Sequence, residues 1–252
     1  MDKDPFVTRL TELASDLIRA TDSGKGSVEG FEPNRNLLPH ELYFYSCFQG
    51  MGSIHTLIRQ LDQAVIFFSS FRSTKAMKNK SITRFDHMVY HLENYVLRVT
   101  GVLDRMLIFT NQILRLGLEE ASCKPHMMLT GKNGKKGVAT IKIEAVPGLF
   151  EALDGIRMFV DGYRNQRNEV AHARRWEAPD MREIEMYHIV MANTNDLELI
   201  KREFIIKRET DEKMWAYKAQ MLEANLELKK LIGQSFKILQ GCFEAKYANL
   251  KT

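Results

Sequence analysis

Apolar residues recur at intervals of three and four positions over most of the chain, a spacing typical of amphipathic helices. The pattern predicts two long helices over roughly 41–72 and 84–118. The apolar stripe of the second consists of Phe85, Met88, Leu92, Tyr95, Val99, Val102, Met106, Phe109 and Ile113. Because proline lacks a backbone N–H and disfavours helix in the residue before it, Pro39, Pro125 and Pro179 mark boundaries between such segments.

The same spacing predicts a third long helix from Gly148 to about Trp176 and a last amphipathic helix at the C-terminal end. The stripe of the last helix consists of Trp215, Leu222, Ile232, Phe236, Leu239, Phe243 and Tyr247. The segment near 124–147 differs, since three glycines surround a basic tip and Val138, Ile141 and Ile143 follow. We predict a short β-hairpin or loop insertion there.

Together these elements predict an all-α, up-and-down helical bundle with extra terminal helices. We divide the chain into an N-terminal helix and loop (1–40), the bundle (41–178) and a C-terminal helical extension packed on it (179–252). The composition argues against a β-sandwich, because that fold needs a turn signal about every 8–12 residues and the chain has only 15 glycines and 6 prolines.

Composition narrows the class of protein. With 252 residues and 44 % hydrophobic content, the chain can close a sizeable core, which excludes disorder as its main state. The longest unbroken apolar run, Ala64–Phe68, is far too short to span a bilayer, and the first residues show no signal-peptide pattern. We therefore expect a cytoplasmic protein without membrane contact. The three cysteines lie far apart with no CxxC, so neither disulfides nor a thiolate zinc site are indicated.

Positive charge is concentrated in three segments. Residues 72–84 and 124–142 each hold five lysines or arginines and no acid, and 157–175 hold five arginines against two acids. Such segregation is typical of a surface that contacts a phosphate backbone, although solvated lysine-rich loops give the same pattern. The predicted RNA-contacting residues are Arg164, Arg174, Arg175, Lys132, Lys135 and Lys136.

The third segment suggests a chemistry. The apolar stripe of its helix, continued in steps of three and four residues, reaches Arg167. A charge at this position needs either a carboxylate partner or an open cleft or interface. Asn168 and His172 are four residues apart and share one flank. An imidazole that exchanges protons near neutral pH, a guanidinium for phosphorane charge and an orienting amide suffice for RNA cleavage by a 2′-hydroxyl without a metal.

The run Arg167-Asn168-Glu169-Val170-Ala171-His172 resembles the RNxxxH motif of the HEPN superfamily, and the preceding helical hairpin is similar too, over about residues 41–178. The resemblance implies a helical-bundle homodimer in which two motifs form a composite, metal-independent endoribonuclease site. By position, Arg167 and His172 are the catalytic pair, Asn168 the polar motif residue and Glu93 the supporting acid. Family members act in toxin–antitoxin, antiviral and RNA-processing systems, so an antitoxin or regulatory protein is a candidate partner besides RNA.

Alternatives stay open at this level. Some HEPN domains lack nuclease activity, so a non-catalytic RNA-binding or protein-interaction module is the competing function. HEPN toxins paired with minimal nucleotidyltransferases tend to carry tyrosine where this chain has Arg174, so silencing through that tyrosine is not expected. No metal or cofactor is predicted, because His87 and His91 lack the intervening glutamate of a zincin and a clear third ligand.

Overall fold

The computed structural model describes residues 4–22, 37–131, 135–171, 181–193 and 197–252. These residues form ten α-helices and one 3-10 turn, with no β-strand among them, as the predicted all-α bundle requires. The helices are α1 (Pro5–Asp22), α2 (Pro39–Phe68), α3 (Lys75–Asn79), α4 (Arg84–Leu114), α5 (Pro125–Met128), α6 (Val138–Glu144), α7 (Leu149–Asp161), α8 (Arg164–Ala171), α9 (Arg182–Asn193) and α10 (Leu197–Lys251).

Side chains next to the helix starts satisfy the first free backbone donors. Asp4 accepts from the N–H of Phe6 at 2.9 Å, with Pro5 in the first turn of α1. At α4, Thr83 accepts from the N–H of Asp86 at 3.1 Å while the Asp86 carboxylate accepts from the N–H of Thr83 at 2.8 Å. This reciprocal pair is a capping box, and it fixes the start of the helix at the predicted residue.

The hairpin expected near 124–147 is wrong in the residues that the structure describes there. A 3-10 turn, Glu120–Ser122, precedes this segment. The segment itself contains the short helices α5 and α6. The buried residues of α6 are Ala139, Thr140 and Ile143, which are spaced as on one face of a helix, whereas Val138 and Ile141 are exposed. In the residues described there, the insertion thus contains two short helices and loop residues rather than a hairpin.

The long third helix is also interrupted. It breaks at Gly162 and Tyr163, which form a turn between α7 and α8. The N–H of Tyr163 bonds to the carbonyl of Val160 at 2.9 Å, and the helical pattern resumes with the N–H of Arg167 bonded to the carbonyl of Tyr163 at 3.0 Å. The apolar stripe of α7 therefore does not run on in register into α8.

The chain divides into two compact units, and three long helices contribute to both. The first unit comprises residues 1–57, 102–159 and 228–252. Its core contains a cluster of buried rings, in which Phe6 lies 5.8 Å from Phe109 and 5.9 Å from Phe236, and Phe109 lies 5.5 Å from Phe236 between ring centroids. Phe6 thereby fixes α1 to this core.

The second unit comprises residues 58–101 and 160–227, and it contains the motif helix α8. Its described core combines apolar side chains with a buried polar connection between three helices. The hydroxyl of Tyr95 on α4 donates to Oδ1 of Asn225 on α10 at 2.8 Å, and Nδ2 of Asn225 donates to Asp62 on α2 at 3.1 Å. Asn225 is only 3 % exposed, so these bonds satisfy an amide that would be costly to bury alone.

The last helix, α10, is 55 residues long. It buries one stripe along its length, formed by Ile206, Met214, Met221, Ala224, Leu228, Ile232, Phe236, Leu239 and Phe243. Two residues of the predicted stripe, Trp215 and Leu222, are instead about half exposed. In the ranges covered by the structure, no helix has both the length and the apolar character needed to cross a membrane.

Candidate active site

The start of the motif helix α8 is packed through a contact between two tyrosine rings. Tyr163, the residue before α8, places its ring 6.4 Å from that of Tyr95, edge to face at 67°. Tyr95 is itself held by the buried Asn225. Burial raises the pKa of both phenols, with Glu227 adding to the effect at Tyr163. Both tyrosines thus stay protonated, and the start of α8 is fixed to the core of its unit.

Beyond this start, α8 is a surface helix. None of its residues is buried, and Arg164 and Arg167 are exposed while Asn168 is half-buried. The sequence left two surroundings open for Arg167, a carboxylate partner or an open face, and the structure shows an exposed side chain that is not packed into a core. The guanidinium is open to solvent, where it can meet an anion.

Two of the predicted site residues contact each other. Nη1 of Arg167 donates a hydrogen bond to Oδ1 of Asn168 at 3.2 Å. This bond uses one of the N–H groups of the guanidinium and leaves the others available to oxygen atoms of a ligand. Asn168 therefore acts on the arginine, and its amide restricts the directions in which the guanidinium points.

Two of the predicted RNA-contacting residues form ion pairs within the protein. Arg164 lies 2.7 Å from Asp161 in the second unit, and Lys136 lies 2.6 Å from Glu144 in the first. The basic side chains of both pairs are more than half exposed, so these interactions are screened and contribute little to stability. Either cation can exchange its carboxylate for a phosphate. Lys135 is exposed in the first unit.

The remaining predicted residues divide into two groups. Glu93 is half-buried on α4 of the second unit, and its pairing with Arg167 stays a prediction. His172, Arg174, Arg175 and Lys132 lie outside the residues that the structure describes. The described structure thus joins Arg167 to Asn168, and the roles assigned to the full motif stay predictions.

Sequence reasoning missed the polar connection that supports the motif helix. It placed Tyr95 in an apolar stripe and in the hairpin that resembles the family, but it predicted no hydrogen bond for this residue and did not single out Asn225. The available signal was the position of Asn225 on α10, between the buried Ala224 and Leu228 and four residues after the buried Met221. A buried amide at such a position needs a hydrogen-bonding partner from another helix.

In the described parts of the chain, no group of three or more His, Cys, Asp or Glu side chains is placed to hold a metal ion. The histidine pair noted in the sequence has other contacts. Nε2 of His87 lies 2.8 Å from the carbonyl oxygen of Phe67, and since a carbonyl only accepts, this contact places a proton on Nε2. The His87 and His91 rings lie 4.4 Å apart, edge to face.

Comparison with known proteins places these features in a family. No curated protein matches the chain, and no solved structure does. A family model described as Cthe2314-like HEPN matches residues 50–245, which is well over half of the chain. The matched range includes most of α2, all of α4, the motif and most of α10. The chain therefore belongs to the Cthe2314-like HEPN family of helical domains.

Proposed function

We propose that the protein is a metal-independent endoribonuclease that acts as a homodimer. In this dimer, Arg167 and His172 of the two copies face each other across one cleft. The observation that carries the proposal is the exposed guanidinium of Arg167, which is oriented by Asn168 on a helix with no buried residue, in a chain of the HEPN family. An exposed arginine restrained by a neighbouring amide suits the recognition of a charged phosphate.

The reaction requires two proton transfers. The 2′-oxygen of a ribose attacks the adjacent phosphorus, and as the new 2′-O–P bond forms, the bond from phosphorus to the 5′-oxygen breaks. One His172 imidazole takes the proton of the 2′-hydroxyl, and the imidazolium of the second copy gives a proton to the 5′-oxygen. The guanidinium of Arg167 donates to the non-bridging oxygens, where negative charge develops. The products are a 2′,3′-cyclic phosphate and a 5′-hydroxyl.

The basic residues hold the RNA backbone on either side of this cleft. We assign this role to Arg164, Arg174, Arg175, Lys132, Lys135 and Lys136. Their substrate is single-stranded or loop RNA, because only an unpaired strand lets the 2′-hydroxyl align with the leaving 5′-oxygen freely. In the cell, a cytoplasmic toxin or antiviral effector of this kind acts under the control of an antitoxin or regulatory protein.

A cleavage assay in EDTA tests the proposal. We expect the full chain to cut a labelled single-stranded RNA, and the variants His172→Ala and Arg167→Ala to lose at least about 100-fold in rate, as for removal of a group that acts in the transition state. Matched controls are His126→Ala on α5 and Arg208→Ala on α10, which are both exposed and are not part of the motif. RNA binding without cleavage of any RNA offered would instead establish the non-catalytic binding module.

The dimer is tested separately by the mass of the protein in solution. Light scattering should give twice the 29.2 kDa of one chain at concentrations where cleavage is measured. If the chain is active while it remains a monomer, the composite site is wrong even though the nuclease assignment stands.

A further inference from the structure

A small cavity lies between α2 and α4 in the second unit, and none of its lining residues belongs to the motif. Its volume is about 200 Å³, below the roughly 300–1,000 Å³ of sites that take drug-sized ligands. We call it the Arg98 pocket. Its polar and aromatic lining includes Gln60, Gln63, Phe67, Tyr90, His91 and Arg98. A cavity of this size and composition suits one small aromatic, hydrogen-bonding group.

The pocket contains a positive charge that is held by amides. Nη1 of Arg98 donates to the side-chain Oδ1 of Asn94 at 3.0 Å and to its main-chain oxygen at 3.1 Å. Nδ2 of Asn94 in turn donates to the carbonyl of Tyr90 at 2.8 Å. Within the described ranges Arg98 forms no ion pair, so its charge is positioned but not neutralised by the protein. A phosphate is the matching ligand group.

Two aromatic rings stand at the rim of the Arg98 pocket. Phe67 is 51 % exposed and Tyr90 is 60 % exposed, although large aromatic side chains usually gain stability by burial. The ring of His91 lies 6.1 Å from that of Phe67 and 5.2 Å from that of Tyr90, so the three rings form one patch. Exposed rings beside a cation are the combination that binds unpaired nucleotides by stacking.

The remaining groups provide hydrogen bonds of both kinds. Burial lowers the pKa of His91 to about 4, and the neighbouring His87 and Arg98 act in the same direction. At neutral pH its imidazole is therefore uncharged and offers one donor and one acceptor. Gln60 and Gln63 are half-buried, and their amides add donors and acceptors at the wall. Such a wall can recognise the edge of a base.

We infer that the Arg98 pocket binds one unpaired nucleotide, with its base stacked on Tyr90 or Phe67, the base edge against His91 and the glutamines, and its phosphate on Arg98. This site goes beyond the proposed nuclease function, because none of its residues belongs to the motif. Two ligands carry both a base and a phosphate and would fit the site: a free mononucleotide, or one nucleotide of an RNA strand.

Calorimetric titration of the full chain carrying His172→Ala tests this site without cleavage of the probe. The probes are adenosine 5′-monophosphate, adenosine, inorganic phosphate and a single-stranded RNA hexamer. We expect Arg98→Gln to weaken the binding of the monophosphate or the hexamer at least tenfold, while the affinity for adenosine changes less than threefold. Tyr90→Ala should weaken the binding of every probe that contains a base. Tyr90→Phe should restore binding, and Arg208→Gln is the matched control. Thermal unfolding confirms that each variant is folded.

Each result of the titration either supports or overturns the inference. Binding of the monophosphate identifies a free-nucleotide site, and binding of the hexamer alone identifies a subsite for an RNA strand; both support the inference. It is overturned if neither probe binds, if Arg98→Gln and Tyr90→Ala leave binding unchanged, or if phosphate alone binds as tightly as the monophosphate. Since the titration uses a variant that lacks the motif imidazole, a failure of the nuclease proposal leaves this result interpretable.

Discussion

The hydroxyl of Tyr95 donates to the side-chain oxygen of Asn225 at 2.8 Å, and both residues are buried in the second unit. Through Asn225, the bond extends to Asp62 and so connects α4, α10 and α2. The ring of Tyr95 also meets Tyr163, which precedes the motif helix. A mutation at this position therefore affects both the stability of the unit and the place where α8 begins.

Replacing Tyr95 by Phe keeps the ring and removes the donor. The acceptor Oδ1 of Asn225 is then left buried without this bond, and we expect the free energy of unfolding to fall by about 1–3 kcal/mol. Urea unfolding followed by circular dichroism measures the change. As a control, Tyr90→Phe alters an exposed tyrosine and should stay within about 0.5 kcal/mol of wild type. Equal effects of the two substitutions would contradict the role of the Tyr95 bond.

Two glycines of α2 should respond in opposite directions to the same substitution. A Cβ at Gly50 would meet Oε1 of Gln112 and lie 2.9 Å from Cδ2 of Phe109, so Gly50→Ala requires both side chains to move. We expect a loss of about 1–3 kcal/mol from this overpacking. Gly52 has no atom within 4 Å of its Cβ position, so Gly52→Ala should stabilise the helix by up to about 1 kcal/mol. Thermal or urea unfolding of the two variants measures these changes in the free energy of unfolding. Stabilisation by both alanines would refute the packing described for α2.

Stability should decrease on acidification because of His91. Its pKa in the folded chain is lowered to about 4 by burial and by the charges of His87 and Arg98, whereas an unfolded histidine titrates near 6.5. Between these values the unfolded chain binds a proton that the folded chain does not, so the free energy of unfolding falls as the pH drops from about 6.5 to about 4. His188, whose pKa is lowered by burial, acts in the same direction.

The size of this effect is limited by solvent, since His91 is only partly buried. We expect its share to be about 1–2 kcal/mol after screening. Urea unfolding at a series of pH values, compared between wild type and His91→Asn, isolates it. The variant should show a shallower decline over the stated window, and an identical slope in both proteins would show that the folded chain does not disfavour the charged form of His91.

Asn168 should act on the rate of cleavage rather than on binding of RNA. Its bond to Arg167 restrains the guanidinium, so Asn168→Ala should lower kcat by about tenfold or more with little change in KM. Arg164→Ala removes a predicted backbone contact and should raise KM instead. A steady-state analysis of both variants measures this split. If both change KM alone, Asn168 does not orient a group that acts in the transition state.

The helical fold could be predicted well because apolar spacing records which face of a helix is buried. The two long central helices begin and end within a few residues of their predicted limits, and the capping box at Thr83 marks one start in the sequence itself. Near 138–144 the same reasoning failed, because the apolar residues that suggested a hairpin or loop include Val138 and Ile141, which are exposed. The buried Ala139 and Thr140 are small or polar and give little hydrophobic signal.

The candidate site was predicted only in part. The motif residues were found from their chemistry and spacing, but the turn at Gly162 and Tyr163 was not, since Gly162 alone does not specify an interruption in an otherwise helical pattern. Arg167, which follows this turn on α8, is exposed. The pairing of Tyr95 with Asn225 joins residues 130 positions apart, and such long-range contacts have no local signature in the sequence.

The most direct measurement is the chemical identity of RNA ends left by the full chain in EDTA, determined by mass spectrometry. We predict 2′,3′-cyclic phosphates and 5′-hydroxyls with wild-type protein and with His126→Ala, and no cleavage above background with His172→Ala that retains its fold. Products with 3′-hydroxyl and 5′-phosphate ends, a requirement for added divalent metal, or undiminished cutting by the His172 variant would contradict the account.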